Sequence, residues 1–225
     1  MPDTIFVTAL GLHFLLLPML AHAEQQVVEI GTIAQSAKVL KHSTPLDAKV
    51  SLRMKRVPLR AYLNEVGRQS KLHFNFVSGV ESCAVTAFLK NVTARDALQI
   101  TLNIEGIAYQ QLGRSDTYTI VPRMDMKICP TDPPMSRPYS TCKHTTGPGI
   151  NVSCVSAMLS DYAETIYGLS GANFFFPNGA EFQPITTDLY KSDLAQAVHA
   201  IEKLDSVTIS QFGPSNIYVV TAKAR

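Results

Sequence analysis

Residues 50–76 read VSLRMKRVPLRAYLNEVGRQSKLHFNF, and residues 150–176 read INVSCVSAMLSDYAETIYGLSGANFFF. At an offset of one hundred residues, and without a gap, these stretches keep Leu59/Leu159, Tyr62/Tyr162, Ser70/Ser170, Phe74/Phe174 and Phe76/Phe176 in step. The match runs on to Val121 over Thr221 and gives fourteen identities in seventy-two positions, including Thr86/Thr186, Leu89/Leu189, Ala97/Ala197, Gly113/Gly213, Ser115/Ser215 and Tyr118/Tyr218. The chain repeats itself once, so the two copies must predict the same elements.

Val50, Leu52 and Met54 alternate with Ser51, Arg53 and Lys55, the period of a half-buried strand. Pro58 stands where a first helical residue tolerates a missing N–H, and Leu59, Tyr62, Leu63 and Val66 follow at helix spacing, as do Leu159, Tyr162, Ala163 and Ile166. Phe74 and Phe76 flank Asn75 in a short strand, and Ser78-Gly79, or Asn178-Gly179, predicts a hairpin-like turn into the next one. Val85, Ala87 and Leu89 alternate with Thr86 and Phe88, and Thr93 stands three residues before Asp96 as Asp193 does before Gln196, the spacing of a helix N-cap. After the second helix, Ile107–Gln111 and Tyr118–Val121 bracket Gly113 as a closing hairpin. The fold class expected is α+β: two tandem small β-α-β-β-α-β-β modules, each with two helices packed on small sheets.

The rest of the chain divides around this repeat. Residues 1–23 hold an apolar run from Ile5 to Leu20 and end in Ala21-His22-Ala23, the pattern of a secretory signal peptide cut before Glu24. Residues 24–48 are a lead-in, 49–122 the first copy, 123–149 a linker and 150–223 the second copy. The linker carries Pro122, Pro130, Pro133, Pro134, Pro138 and Pro148 at or within its borders, a composition that helix interiors and central strands reject. The formal charge of +2 is spread along the sequence without a basic stripe, so nucleic acid is not an expected partner.

Three stretches of the first copy carry a family resemblance: Val50-Ser-Leu-Arg-Met-Lys-Arg-Val-Pro-Leu, Ala84-Val-Thr-Ala-Phe-Leu-Lys-Asn-Val-Thr-Ala-Arg-Asp-Ala-Leu, and Gly106-Ile-Ala-Tyr with Thr117-Tyr-Thr-Ile-Val-Pro. They resemble the secretin and TonB N-terminal short domain, with Ile107 in place of that family's leucine. In the second copy Pro58 is replaced by Met158, Lys90-Asn91-Val92-Thr93 by Tyr190-Lys191-Ser192-Asp193 and Gly106 by Ser206, so that copy resembles the family chiefly through the repeat. The resemblance implies a non-enzymatic docking or adaptor protein of the Gram-negative periplasm, associated with the outer membrane. The partners it implies are an outer-membrane secretin-type complex of protein secretion or type IV pilus assembly, or TonB-dependent receptor components. A signalling module contacting an inner-membrane anti-sigma regulator is the alternative. No pore, plug or barrel pattern is read in the sequence, so the expected part is that of an accessory protein, with a truncated relative of a larger one as the other possibility.

No catalytic residue, cofactor, metal or small-molecule substrate is expected. Cys83, Cys129, Cys142 and Cys154 make an even count suited to disulfides in an exported chain. Three connectivities are possible; closing the proline-rich loop favours Cys129 with Cys142, leaving Cys83 with Cys154 to join the copies. Cys129, Cys142 and His144 offer three soft zinc ligands, but a structural site needs a fourth. Asp161, Glu164 and Glu65 are the acids that would gather if a hydrolytic site lay between the copies, although their positions off the apolar stripes fit solvated helix faces.

Overall fold

In chain order the first copy folds as β1 (Lys49–Pro58), α1 (Leu59–Ser70), β2 (His73–Phe76), β3 (Ala84–Thr93), α2 (Ala94–Gln99), β4 (Ile107–Gln111) and β5 (Thr117–Pro122). A short strand β6 (Lys143–His144) precedes the second copy, which is β7 (Ile150–Met158), α3 (Leu159–Ser170), β8 (Asn173–Pro177), β9 (Pro184–Ser192), α4 (Leu194–Glu202), β10 (Val207–Phe212) and β11 (Ile217–Ala222). This is the β-α-β-β-α-β-β order twice over, an α+β architecture with, among the described residues, four α-helices packed on small sheets. The computed structural model describes residues 44–80, 83–104, 107–122, 140–177 and 179–223. The signal segment 1–23, the lead-in up to residue 43, Cys129 and the linker from 123 to 139 lie outside the described residues.

Strand pairing departs from the sequence expectation in two places. The turn at Ser78-Gly79 does not close a hairpin: β2 runs parallel to β5, Phe74 opposite Tyr118, whereas β3 lies antiparallel to β1. Each copy thus splits its strands between two sheets, because the helix between β1 and β2 carries the chain from one to the other. The second departure concerns the copies themselves, which share a sheet of strand order β1-β3-β8-β11-β10. Its seam is the antiparallel pair β3–β8, with Thr86 opposite Phe176, Ala87 opposite Phe175 and Phe88 opposite Phe174. Of the two three-stranded sheets, β2-β5-β4 belongs to the first copy, and β6-β7-β9 joins two strands of the second copy to the preceding β6.

The shared sheet is covered on both faces, and this explains why Val85 through Leu89 are all buried although their sequence alternates. On one face Val85, Ala87, Leu89, Phe175, Ile217 and Val219 pack with Leu59, Tyr62, Leu63 and Val66 of α1. On the other, Phe88, Phe174, Phe176 and Val220 pack with Leu159, Tyr162, Ala163 and Ile166 of α3. Consecutive residues of β8 therefore serve different cores. Phe175 meets Tyr62 at 5.8 Å between ring centroids, and Phe174 meets Tyr218 at 5.4 Å. Burying a phenylalanine side chain fully is worth about 1.5–3 kcal/mol, so each ring of the aromatic seam outweighs an exposed ion pair, worth about 0–1 kcal/mol.

Many of the identities between copies are hydrogen bonds repeated. Tyr62 Oη donates to the Ala97 carbonyl at 2.8 Å, and Tyr162 Oη to the Ala197 carbonyl at the same distance, tying the first helix of each copy to its second. Burial pushes both phenol pKa values up, so each hydroxyl keeps its proton and remains a donor. Thr86 and Thr186 accept the N–H groups of Arg56 and Ser156, residues at φ 51° and 50° in matching bulges of β1 and β7. Likewise Ser51 and Asn151 accept the N–H groups of Asn91 and Lys191, at φ 56° and 49°. Pro58 is the last strand residue and the N-cap, with Leu59 opening α1, because its ψ of 142° is extended rather than helical. Tyr62→Phe and Tyr162→Phe are each expected to cost about 1 kcal/mol, equal within a few tenths; urea unfolding of the two variants checks this.

Candidate functional site

The second-helix caps show where the copies diverge for a purpose. Asp193 and Gln196 make a reciprocal capping box, each side chain accepting the other's backbone N–H. In the first copy Thr93 caps Asp96 N in the same way, but the Asp96 side chain, 2% exposed, instead accepts the Ser215 hydroxyl from the β10–β11 turn of the second copy. That turn passes so close that a Cβ on Gly213, at φ 63°, would sit 3.1 Å from Asp96 Oδ1. The spacing from Thr93 marks Asp96 as a capping residue alone, and nothing local marks its long-range partner.

The acids nominated as a hydrolytic cluster do not form one. Asp161 and Glu164 project from α3 onto the outward face of β1, where Lys55 reaches both, at 2.7 Å to Asp161, and Arg53 Nε meets Glu164 at 2.8 Å. Glu65 lies on α1 and is held by its own helix, accepting from Arg68 Nε at 2.8 Å and Gln69 Nε2 at 2.8 Å. Bonds from Arg68 and Gln69 hold its pKa down at about 2. Burial works to raise the pKa of Glu164, but bonds from Lys55 and Arg53 more than offset this and leave it below the ordinary carboxylate range. A general acid needs the opposite shift. These carboxylates are ion-pair partners, and the Arg53–Lys55–Asp161–Glu164 group is a polar clasp across the two copies.

The clasp gives acid sensitivity with a definite sign. The folded pKa of Glu164 lies below its unfolded one, so its contribution is fully present above the unfolded value of about 4.3 and is lost as pH falls through the lowered value. Glu164→Gln is expected to flatten the fall in urea midpoint below pH ~4.3, and added salt should narrow the difference because the pairs are partly exposed.

The cysteine pairing is corrected. Cys142 is bonded to Cys154, with a Cα–Cα distance of 4.4 Å, rather than to Cys129. The cause is β6: Lys143 pairs with Ser153 and His144 with Val152, so the register itself brings Cys142 opposite Cys154. The stretch that the sequence marks as linker up to residue 149 therefore contains a short strand, Lys143–His144. Cys83 is also disulfide-bonded, and not to Cys154. With Cys142 engaged, the Cys129–Cys142–His144 zinc set loses a ligand, and among the described residues no group of three or more His, Cys, Asp or Glu gathers to hold a metal.

What the arrangement offers chemically is strand edges. Among the described residues β2 and β9 are unpaired on one side, and they occupy in their copies the places that β8 and β3 occupy at the seam. The residues that make the seam apolar are polar at these outer ends: Asn75 stands for Phe175, Thr117 for Ile217, Thr119 for Val219 and Asp188 for Phe88. Exposed backbone edges accept an incoming strand. Tyr190 and Val155, at 75% and 65% exposure, add two isolated apolar side chains on the β7–β9 side. Comparison of the chain with protein-family models, curated proteins and solved structures finds no match.

Proposed function

We propose that this chain is a non-enzymatic periplasmic docking protein of the secretin and TonB N-terminal short-domain type, acting on an outer-membrane secretin-type complex of protein secretion or pilus assembly. The observation that carries this reading is the element order, β-α-β-β-α-β-β in both copies, laid over the sequence words at residues 50–59 and 84–98 that prompted the resemblance. The disulfide Cys142–Cys154 supports an oxidising compartment, where such bonds form and persist. Paired, low-pKa carboxylates and open strand edges support binding rather than proton transfer.

Affinity capture with cross-linking in intact envelopes tests the proposal. Recovery of a secretin or its assembly factors is the expected result. Recovery of an anti-sigma regulator would replace it with the signalling reading, and recovery of neither would overturn both.

A further inference from the structure

Among the described residues, the strand β2 has a strand partner on one side only. Its twin β8 is paired on both sides, by β11 and by β3, whereas β2 is paired only by β5 among the described residues. His73 N donates to the Asp116 carbonyl at 2.9 Å and Val77 N to the Ile120 carbonyl at 3.0 Å. By the alternation of a strand backbone, the N–H and C=O groups of Phe74 and Phe76 point the other way, to the open edge. The side chains agree with the backbone. Phe74 and Phe76 are identical to Phe174 and Phe176, yet they are half-buried where their twins are fully buried. Arg60 lies over the Phe76 ring at 5.1 Å.

We propose, resting on the docking reading, that the outer edge of β2 takes an extended segment of another protein, laid antiparallel, with a small residue opposite Asn75 and an uncharged aromatic or large aliphatic residue opposite Phe74. The seam inside the chain supplies this specification, since there Ala87 stands opposite Phe175 and Phe88 opposite Phe174. A second copy of the chain does not meet it. Its matching strand, β9, would bring Thr187 to Asn75 and the charged Asp188 to Phe74, and a carboxylate pressed against the Phe74 ring gives up hydration that the ring does not replace, so it is disfavoured. A whole folded module does not meet it either. Asn75, Thr117 and Thr119 make the outer sheet face polar where Phe175, Ile217 and Val219 lie under helices, so the partner adds a strand at the edge and leaves the face wet.

The test uses the full chain and, as probe, a synthetic peptide with the sequence of Ala84–Lys90. Amide NMR is expected to show saturable shifts at Phe74 and Phe76, and a second peptide carrying Asp in place of the residue matching Phe88 should bind about tenfold more weakly or less. Shifts centred on Phe174–Phe176, equal binding of both peptides, or no binding at millimolar peptide would each overturn the assignment. So would concentration-dependent self-association of the free chain in sedimentation, which would name a second copy as the occupant. If envelope capture succeeds while β2 stays silent, the docking reading stands and this edge does not; if capture fails, the reading beneath it falls first.

Discussion

Phe88→Asp, which installs at the seam the residue found at the matching outer position, is expected to lower stability by about 3–5 kcal/mol and to loosen the two copies from each other. Phe88 is fully buried and packs with Phe174, Phe176 and Tyr167, its ring centroid 6.0 Å from that of Tyr167. The substitution removes an aromatic side chain and puts a carboxylate in its place, so cavity and desolvation act in the same direction. Because burial raises the carboxyl pKa, the loss should be largest near neutrality and smaller in acid, where the new group is protonated. The reciprocal change, Asp188→Phe, sits on an exposed edge and should leave the urea midpoint within about 0.5 kcal/mol of the parent. Circular dichroism in a urea series measures both. Equal midpoints for Phe88→Asp and the parent would mean that β3 does not belong to the second core.

The double variant Cys142→Ser with Cys154→Ser is expected to lose about 3 kcal/mol, the value for closing a loop of roughly this length in the chain-entropy account. The bond spans a separation of twelve residues and is the covalent anchor of β6, whose segment is also held to β7 by the register Lys143–Ser153 and His144–Val152, by the Ser140–Ala157 bridge and by Thr145 N donating to the Asn151 carbonyl. Hydrogen exchange should then report faster opening of the β7 amides that face β6, with the shared sheet unchanged. Serine variants are preferable to reductant, since Cys83 is disulfide-bonded too. A variant as stable as the parent would assign the anchoring to the rest of the turn around Gly147–Gly149.

Element order was legible because it depends on periodicity, which each copy carries independently and which the ungapped repeat checks. Leu59, Tyr62, Leu63 and Val66 announce their helix whatever surrounds it. Pairing was not legible. Residues 173–177 read as a short apolar strand, but three successive phenylalanines do not say which ring enters which core, and that depends on a β3 edge some ninety residues earlier in the chain. The supposed hairpin at Ser78-Gly79 failed for a similar reason: a glycine turn marks a reversal without naming the sheet that each arm joins. Cys142–Cys154 was obscured by the prolines around it, which made the whole interval look irregular although Lys143 and His144 pair as a strand. For the candidate site, the polar replacements Asn75, Thr117, Thr119 and Asp188 were all visible as differences between copies. They became informative only when the seam showed what their counterparts touch.

The alternation of β8 has a consequence for how the polypeptide acquires its shape. The amino-terminal copy is made first, yet its core is completed by Phe175, Ile217 and Val219 from the far half. A nascent chain of which only residues 44–122 have emerged holds an uncovered apolar flank around Tyr62 and must wait for its other end. Closure is therefore late and non-local, which slows folding, and it makes the final strand the step that commits the whole molecule.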